Sequence, residues 1–286
     1  LLWVALYHAV PMLANARAWQ VLLPGRAQPS FGFFTWMVWV REAVNAMLPV
    51  ARIGGEVTGA WLLTTRGVRK RPAAATLVVD MTMSLISQLA FTLIGVGLLA
   101  THGGGRSLAT SVGLGLLVAL PIVLAFGLVQ RIGIFGFFAR LFHLAFGDRF
   151  DRMVGGAKAL DRAVHVIYRR PGRVLACVLW QLAGWVVSAG ETWIALAALG
   201  HPASIGDAIM VTALIEAASS SAFLVPGALG VQEGGFLVLG RVLGLPDDVS
   251  LALALVRRAR DVLVYGPALA LWQLGEGRRL MLRGSA

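Results

Sequence analysis

Long apolar runs dominate this chain and restrict what it can fold into. Residues 76–100, 108–129 and 174–199 each form a run of about 20 residues or more that is mainly apolar. A helix rises about 1.5 Å per residue, so each run is long enough to cross a hydrocarbon layer about 30 Å thick. Hydrophobic residues make up 58% of the 286 and charged residues only 14%, whereas soluble domains carry about 25% charged residues. The sequence therefore predicts an all-α, polytopic membrane protein.

The basic residues predict how the chain crosses the membrane. If residues 31–65 and 205–243 are re-entrant helical hairpins, each entering and leaving on one side, 17 of the 25 Lys and Arg residues collect on one face. The positive-inside rule makes that face cytoplasmic. We therefore expect a multi-pass protein of the bacterial inner membrane with cytoplasmic basic loops and C-terminus. If these two segments crossed the membrane fully instead, the basic loops would lie on both faces. Runs of about 18–20 apolar residues are nevertheless long enough to span a membrane alone.

The same pattern divides the chain into segments. We predict a first membrane half at 1–100 with hairpin 31–65, a linking span at 107–130, cytoplasmic amphipathic helices at 131–173, and a second membrane half at 174–275 with hairpin 205–243. The amphipathic segment combines nine Lys and Arg with apolar residues at helical spacing, such as Leu160, Val164 and Ile167. Because Leu1 already lies inside an apolar run, we expect an upstream membrane segment to be missing. We read residues 284–286 as an appended tail.

Two short motifs at the proposed hairpin breaks resemble each other. Pro49 precedes Glu56 by seven residues, as Pro226 precedes Glu233, with glycines between them at Gly54, Gly55, Gly227 and Gly230. Pro interrupts a helix and Gly permits close approach. A broken helix in a membrane is tolerated where protein or a water-filled cavity satisfies the freed backbone groups. Since the hairpins would open to opposite faces, the motifs predict an inverted repeat with a site at its breaks. The alternative is two unrelated kinks.

Charged residues within the apolar segments are the candidate binding residues. Charge is expensive in hydrocarbon, so these side chains should face the interior, pair or line a cavity. The predicted substrate-binding residues are Arg41, Glu42, Asn45, Arg52, Glu56, Glu216, Glu233 and Arg258. We expect Arg257 to pair with Asp261 one helical turn away, which would leave Arg258 to meet a phosphate. Structural ion pairs remain the alternative for these charged residues. We assign Asp80 to helix–helix hydrogen bonding, and the same role is the alternative for Asn45.

Several chemistries lack their sequence signatures. The chain has no HExxH motif, and Cys177 is its sole cysteine, so we expect no metal site. No GxxxxGK[ST] motif is present, so we expect no ATP and no other cofactor. The +11 net charge fits anionic lipid headgroups better than nucleic acid. Membrane lipids are the expected partners, followed by a second copy of the chain or lipid-synthesis enzymes.

Three groups of residues carry a family resemblance. They are Ala16-Arg17-Ala18-Trp19; Asn45 to Pro49 with Arg52 and Glu56; and Pro226-Gly227 with Gly230 and Glu233. Together they resemble the flippase-like transmembrane region of lysylphosphatidylglycerol synthases, closest to the branch associated with hopanoid biosynthesis. The resemblance covers residues 1–274.

The resemblance implies translocation of aminoacylated, polyprenyl-linked or hopanoid-related lipids through paired re-entrant helices. The residues of this chain that match the family's motifs, and to which the resemblance carries over, are Arg52, Glu56, Pro226 and Glu233. A soluble aminoacyl-transfer domain is not found in this sequence, so synthase activity is not expected.

Three functions follow from these observations. The first is a lipid transporter that is not an enzyme and has no catalytic residue. The second is an intramembrane lipid transferase with Glu233 or Asp261 as base. The third is a scaffold that holds lipid-synthesis partners on the 131–173 surface. Transport of a lipid headgroup accounts for most of the features and is the function that we expect.

Overall fold

The described part of the chain is built from α-helices. A computed structural model describes residues 1–23, 28–48, 54–102, 110, 112, 113, 117, 128, 151–222, 225 and 228–284. Within these residues the helices are α1 Leu2–Tyr7, α2 Ala9–Leu22, α3 Phe31–Met47, α4 Gly54–Thr65, α5 Lys70–Thr101, α6 Asp151–Tyr168, α7 Pro171–Ala198, α8 Ile205–Ser221, α9 Val231–Val242 and α10 Asp247–Gly284. No strand occurs among them. The all-α prediction is thus confirmed for the described residues, while the linking span at 107–130 and residues 131–150 lie largely outside them.

Helices α5 and α7 are each long and apolar enough to cross a membrane. Helix α10 is longer, with 38 residues, but four charged residues interrupt its apolar character between Arg257 and Asp261. Large apolar side chains such as Leu179, Leu255 and Leu263 are more than half exposed on the outside of the helices. Several charged side chains, such as Arg41, Asp80 and Arg260, are buried instead.

Helices α3 and α4 fold back on each other as an antiparallel pair. At one end, the Arg66 guanidinium lies 4.9 Å from the centroid of the Phe33 ring. At the other end, the Gly55 N–H donates to Asn45 Oδ1 at 2.9 Å. Helices α3 and α4 therefore form a helical hairpin. Its depth in a membrane stays a prediction.

Helices α8 and α9 repeat the dimensions of this first hairpin. Helices α3 and α8 each have 17 residues, and α4 and α9 each have 12. A serine caps the first helix of each pair, since Ser30 accepts from the Phe33 N–H and Ser204 from the Asp207 N–H. The predicted likeness of the two segments thus extends beyond the Pro–Glu spacing to whole helices.

Each hairpin packs against the long helix that belongs to the other half of the chain. Trp39 on α3 donates to the Val264 carbonyl on α10 at 2.7 Å. In the other half, Gln88 on α5 donates to Ser220 on α8 at 2.6 Å. The two halves are therefore interlocked around a common centre.

Helices α2 and α7 form that centre and run antiparallel. Tyr7, just before α2, donates to the Val187 carbonyl in the second half of α7, and Arg173 at the start of α7 donates to the Leu23 carbonyl. Gly184 lets the helices approach closely, since a Cβ there would lie 3.2 Å from Asn15 Oδ1. Helix α6 covers the α5–α7 side with the apolar residues Val164 and Ile167.

Candidate functional site

A cavity of about 740 Å³ with many charged residues in its lining lies between the two hairpins and the central helices. Leu48, at the end of α3, and Val225, just after α8, both line it. The described residues that flank the breaks of both hairpins therefore line one cavity. Its charged lining residues are Arg41, Glu42, Glu56, Asp80, Glu191, Glu216, Arg257, Arg258, Arg260 and Asp261.

Arg41 is the centre of the charged group on the first hairpin. Its guanidinium contacts Asp80 Oδ2 at 2.9 Å and Glu42 Oε1 at 2.8 Å, and lies 3.6 Å from Glu56 Oε2. The plane also lies 5.1 Å from the Trp19 ring centroid, within cation–π range. Arg41 and Asp80 are buried. We call Arg41, Glu42, Glu56 and Asp80 the Arg41 cluster.

Asn45 ties the two helices of the first hairpin together. Its side chain accepts from the Gly55 N–H and donates to Glu56 Oε1 at 3.3 Å. Gly55 permits this contact because an added Cβ would lie 2.2 Å from the Arg41 carbonyl oxygen. Gly54 and Gly55 were predicted as part of the break. They are instead the first two residues of α4, and Gly55 serves close helix packing there.

The charges on α10 are paired with other helices. Arg257 pairs with Glu216 on α8, and Arg258 Nε donates to Glu233 on α9 at 3.1 Å. The predicted Arg257–Asp261 pair is wrong, because Asp261 is bound by Arg260 at 2.7 Å. Arg258 is not left without an acidic partner, since Glu233 accepts from its Nε, and because it lines the cavity its role toward a phosphate stays a prediction.

Glu233 has a different setting from its counterpart Glu56. Its carboxylate accepts from the Gly230 N–H at 2.7 Å, which caps the start of its own helix. Gly230 adopts φ +79°, a conformation that glycine reaches without strain. Glu233 is not among the cavity-lining residues. The predicted binding role of Glu233 therefore has no support from the cavity.

A second buried polar group lies next to α10 and was not predicted from the sequence. His8 Nδ1 lies 2.8 Å from Glu191 Oε1, and His8 Nε2 lies 2.8 Å from the Tyr265 hydroxyl. Arg260 pairs with the same Glu191. The one sequence signal for this buried group was Glu191, a charged residue in an apolar segment without a local partner.

Some predicted residues lie outside the described part of the chain. They are Pro49, Arg52, Pro226 and Gly227. Their predicted roles as breaks and, for Arg52, as a binding residue stay predictions. Among the described residues, no group of three His, Cys, Asp or Glu side chains is placed to hold a metal ion.

The cavity lining is rich in charge and not fully paired. Its described residues include six carboxylates and four guanidinium groups. Several buried polar atoms have no hydrogen-bond partner in the described part: Glu56 Oε2, Gln232 Oε1, Arg257 Nε and Arg260 Nε. Buried polar atoms are nearly always satisfied, by protein, water or ligand. The cavity is therefore suited to a polar or charged occupant with both donors and acceptors.

Comparison with known proteins identifies the family. No curated protein and no solved structure matches the chain. A family model described as the lysylphosphatidylglycerol synthase TM region matches residues 1–268. This match covers most of the chain and bears out the resemblance drawn from the motifs. The chain belongs to the family of the lysylphosphatidylglycerol synthase transmembrane region, a membrane family connected with lipids.

Proposed function

We propose that this protein is a lipid transporter that moves a charged lipid headgroup across the bacterial inner membrane through the cavity between its two hairpins. The observation that carries the proposal is that residues flanking both helix breaks, Leu48 and Val225, line one charge-lined cavity in a protein that exposes many large apolar side chains. A volume of about 740 Å³ lies within the usual range for ligand sites. The acyl chains would remain in the bilayer while the headgroup passes.

The lining suits a headgroup with both signs of charge. Arg257 and Arg260 each have a buried Nε without a hydrogen-bond partner in the described part, and these donors are suited to a phosphate. Glu42 and Glu56 belong to the acid-rich Arg41 cluster, which is suited to a cationic group. A phospholipid with an amine in its headgroup offers both groups.

We further propose that the two halves form an inverted repeat with re-entrant hairpins. The packing of the halves has an approximate two-fold pattern, because α3 lies on α10 as α8 lies on α5. The two central helices α2 and α7 correspond to each other and are antiparallel. A two-fold axis that relates two antiparallel helices is perpendicular to both of them. It gives the two halves opposite orientations, as in the inverted repeats of many transporters.

The contacts of the acidic residues fit a transporter, which leaves the lipid chemically unchanged, better than they fit a transferase. The transferase alternative placed its base at Glu233 or Asp261. Glu233 caps its own helix and is bound by Arg258, and Asp261 is bound by Arg260. No specific observation in the described residues favours the scaffold alternative.

The test is lipid movement by the purified chain in phosphatidylcholine vesicles that contain NBD-labelled phosphatidylethanolamine. Dithionite bleaches only the outer leaflet, so a transporter increases the fraction that can be bleached. We expect Glu42→Gln, inside the cavity, to slow this movement several-fold. The matched control Arg241→Gln changes an exposed ion pair with Asp247 outside the cavity and should leave the rate unchanged. Equal rates in protein-containing and empty vesicles would refute the proposal for this probe.

A further inference from the structure

The Arg41 cluster has more negative than positive charge. One guanidinium lies within ion-pair distance of three carboxylates. These four side chains therefore carry a formal charge of −2. The additional donors are neutral: Asn45 Nδ2 to Glu56, and Gln181 Nε2 to Asp80 at 3.0 Å. No other ion pair of these carboxylates occurs in the described residues. An uncompensated charge in a protein interior is costly, and carboxyl groups there commonly become neutral by binding a proton.

Glu56 is the carboxylate of the cluster with the weakest support. Both oxygens of Asp80 accept strong hydrogen bonds, from Arg41 and from Gln181. Glu42 Oε1 accepts from two Arg41 nitrogens. Glu56 Oε2 is buried and has no hydrogen-bond partner in the described part, since Arg41 Nη1 is 3.6 Å away. A proton on this oxygen would remove one negative charge from the cluster.

The cavity independently presents a free acceptor. Gln232 is 8% exposed, lines the same cavity, and has a buried Oε1 without a hydrogen-bond partner in the described residues. This acceptor calls for a ligand that donates hydrogen bonds, as protonated or cationic groups do. Glu56 also lines the cavity, two residues into the helix that follows the first break. A proton would therefore reach Glu56 through the cavity itself.

We propose that Glu56 is a proton-binding site that couples transport to proton movement. This inference rests on the proposed function. The groups that face Glu56 are Arg41, Glu42 and Asn45 from α3 and Asp80 from α5. Glu56 holds a proton while the cavity is empty. When a cationic headgroup enters, the proton leaves for the cavity water and the headgroup replaces its charge, so one cation is exchanged for another.

Proton binding is measured without transport, by infrared spectroscopy of the detergent-purified chain. We expect a protonated-carboxyl C=O band at neutral pH that Glu56→Gln removes. The control Glu233→Gln replaces the matching glutamate of the second hairpin and should keep the band. If Glu56→Gln fails to fold, Asp80→Asn provides a second route, because removing one negative charge should release the proton and weaken the band. An unchanged band in a folded Glu56→Gln protein would overturn the proposal.

Coupling is measured in vesicles with NBD-labelled phosphatidylethanolamine under an imposed pH gradient. We expect the gradient to change the rate several-fold in the wild-type protein and not in Glu56→Gln. Lipid movement that ignores the pH gradient but follows a sodium gradient would assign the site to Na⁺ and overturn proton coupling. If the wild-type chain moves no lipid, the proposed function fails, while the infrared result still decides whether Glu56 binds a proton.

Discussion

The two hairpins share a scaffold but divide their charges differently. Glu42 and Glu216 are each the twelfth residue of a 17-residue helix, and Glu56 and Glu233 are each the third residue of a 12-residue helix. In the first hairpin, however, both glutamates gather on Arg41. In the second, Glu216 binds Arg257 and Glu233 binds Arg258.

This difference shows that a repeated helix pattern does not fix the chemistry of its polar residues. The first hairpin carries its own cation on α3, and that one cation is shared. The second hairpin receives its cations from α10, where Arg257 pairs with Glu216 and Arg258 with Glu233. The first hairpin is therefore the side of the cavity where charge is left unbalanced, and the second is the side where ion pairs hold helices together.

The largest expected effect comes from removing the shared cation. Arg41→Met leaves three carboxylates, of which Asp80 is buried and Glu42 and Glu56 are partly buried, around an apolar side chain, and breaking a buried ion pair costs about 3–5 kcal/mol of unfolding free energy. Arg258→Met breaks the partly exposed pair with Glu233 and should lower stability less. Thermal unfolding in detergent measures both. Equal losses of unfolding free energy in the two variants would contradict the inference that Arg41 is shared by three carboxylates.

Pairing across the second hairpin is tested by a double-mutant cycle. Glu216→Gln and Arg257→Gln should each destabilise the protein, and the double variant should recover part of the loss, with a coupling energy of about 1–3 kcal/mol. The same cycle with Asp261 in place of Glu216 should show much weaker coupling, because Asp261 is bound by Arg260. Stronger coupling to Asp261 would restore the pairing that helical spacing alone suggested.

Close packing of the first hairpin predicts a smaller loss. Gly55→Ala places a Cβ 2.2 Å from the Arg41 carbonyl oxygen, a backbone atom, so the helices must separate. We expect a loss of about 1–2 kcal/mol in unfolding free energy. Gly234→Ala is the control, since it lies in the first turns of α9 and a Cβ there meets nothing within 4 Å. A Gly55→Ala protein as stable as Gly234→Ala would show that the contact is not tight.

The smallest effect is expected at Glu233. Glu233→Gln keeps an acceptor for the Gly230 N–H and breaks only a partly exposed ion pair, which is worth less than about 1 kcal/mol. Lipid movement should stay near the wild-type rate, because Glu233 does not line the cavity. A several-fold loss of transport in this variant would make the two glutamates equivalent and would restore the symmetric site that the motifs suggested.

Much of the fold could be predicted from the sequence because it depends on local patterns. Apolar runs predicted α5 and α7, and the Pro–Gly interruptions predicted where both hairpins divide. Helix α9 begins at Val231, directly after Gly230 of the second motif. These features follow from hydrophobicity and backbone preference, which act over a few residues.

The partners of the charged residues could not be predicted in the same way. Helical spacing favoured Arg257 with Asp261, but packing brings Glu216 from α8 closer. Asp80 was assigned to helix–helix bonding, and its contacts with Arg41 and Gln181 join α5 to α3 and α7. Such contacts depend on which helices meet, and a single sequence does not contain that information.

The central claim is that the headgroup passes through the cavity, and blocking the cavity tests it most directly. In a Cys177→Ala background, Ser188→Cys places a thiol on the cavity lining and Ser221→Cys places one on an exposed position outside it. Both serines donate only to their own helix in the described residues. With a bulky thiol reagent attached, we predict that lipid movement stops in the Ser188→Cys protein and continues in the Ser221→Cys protein. Unchanged movement in the fully labelled Ser188→Cys protein would contradict the account.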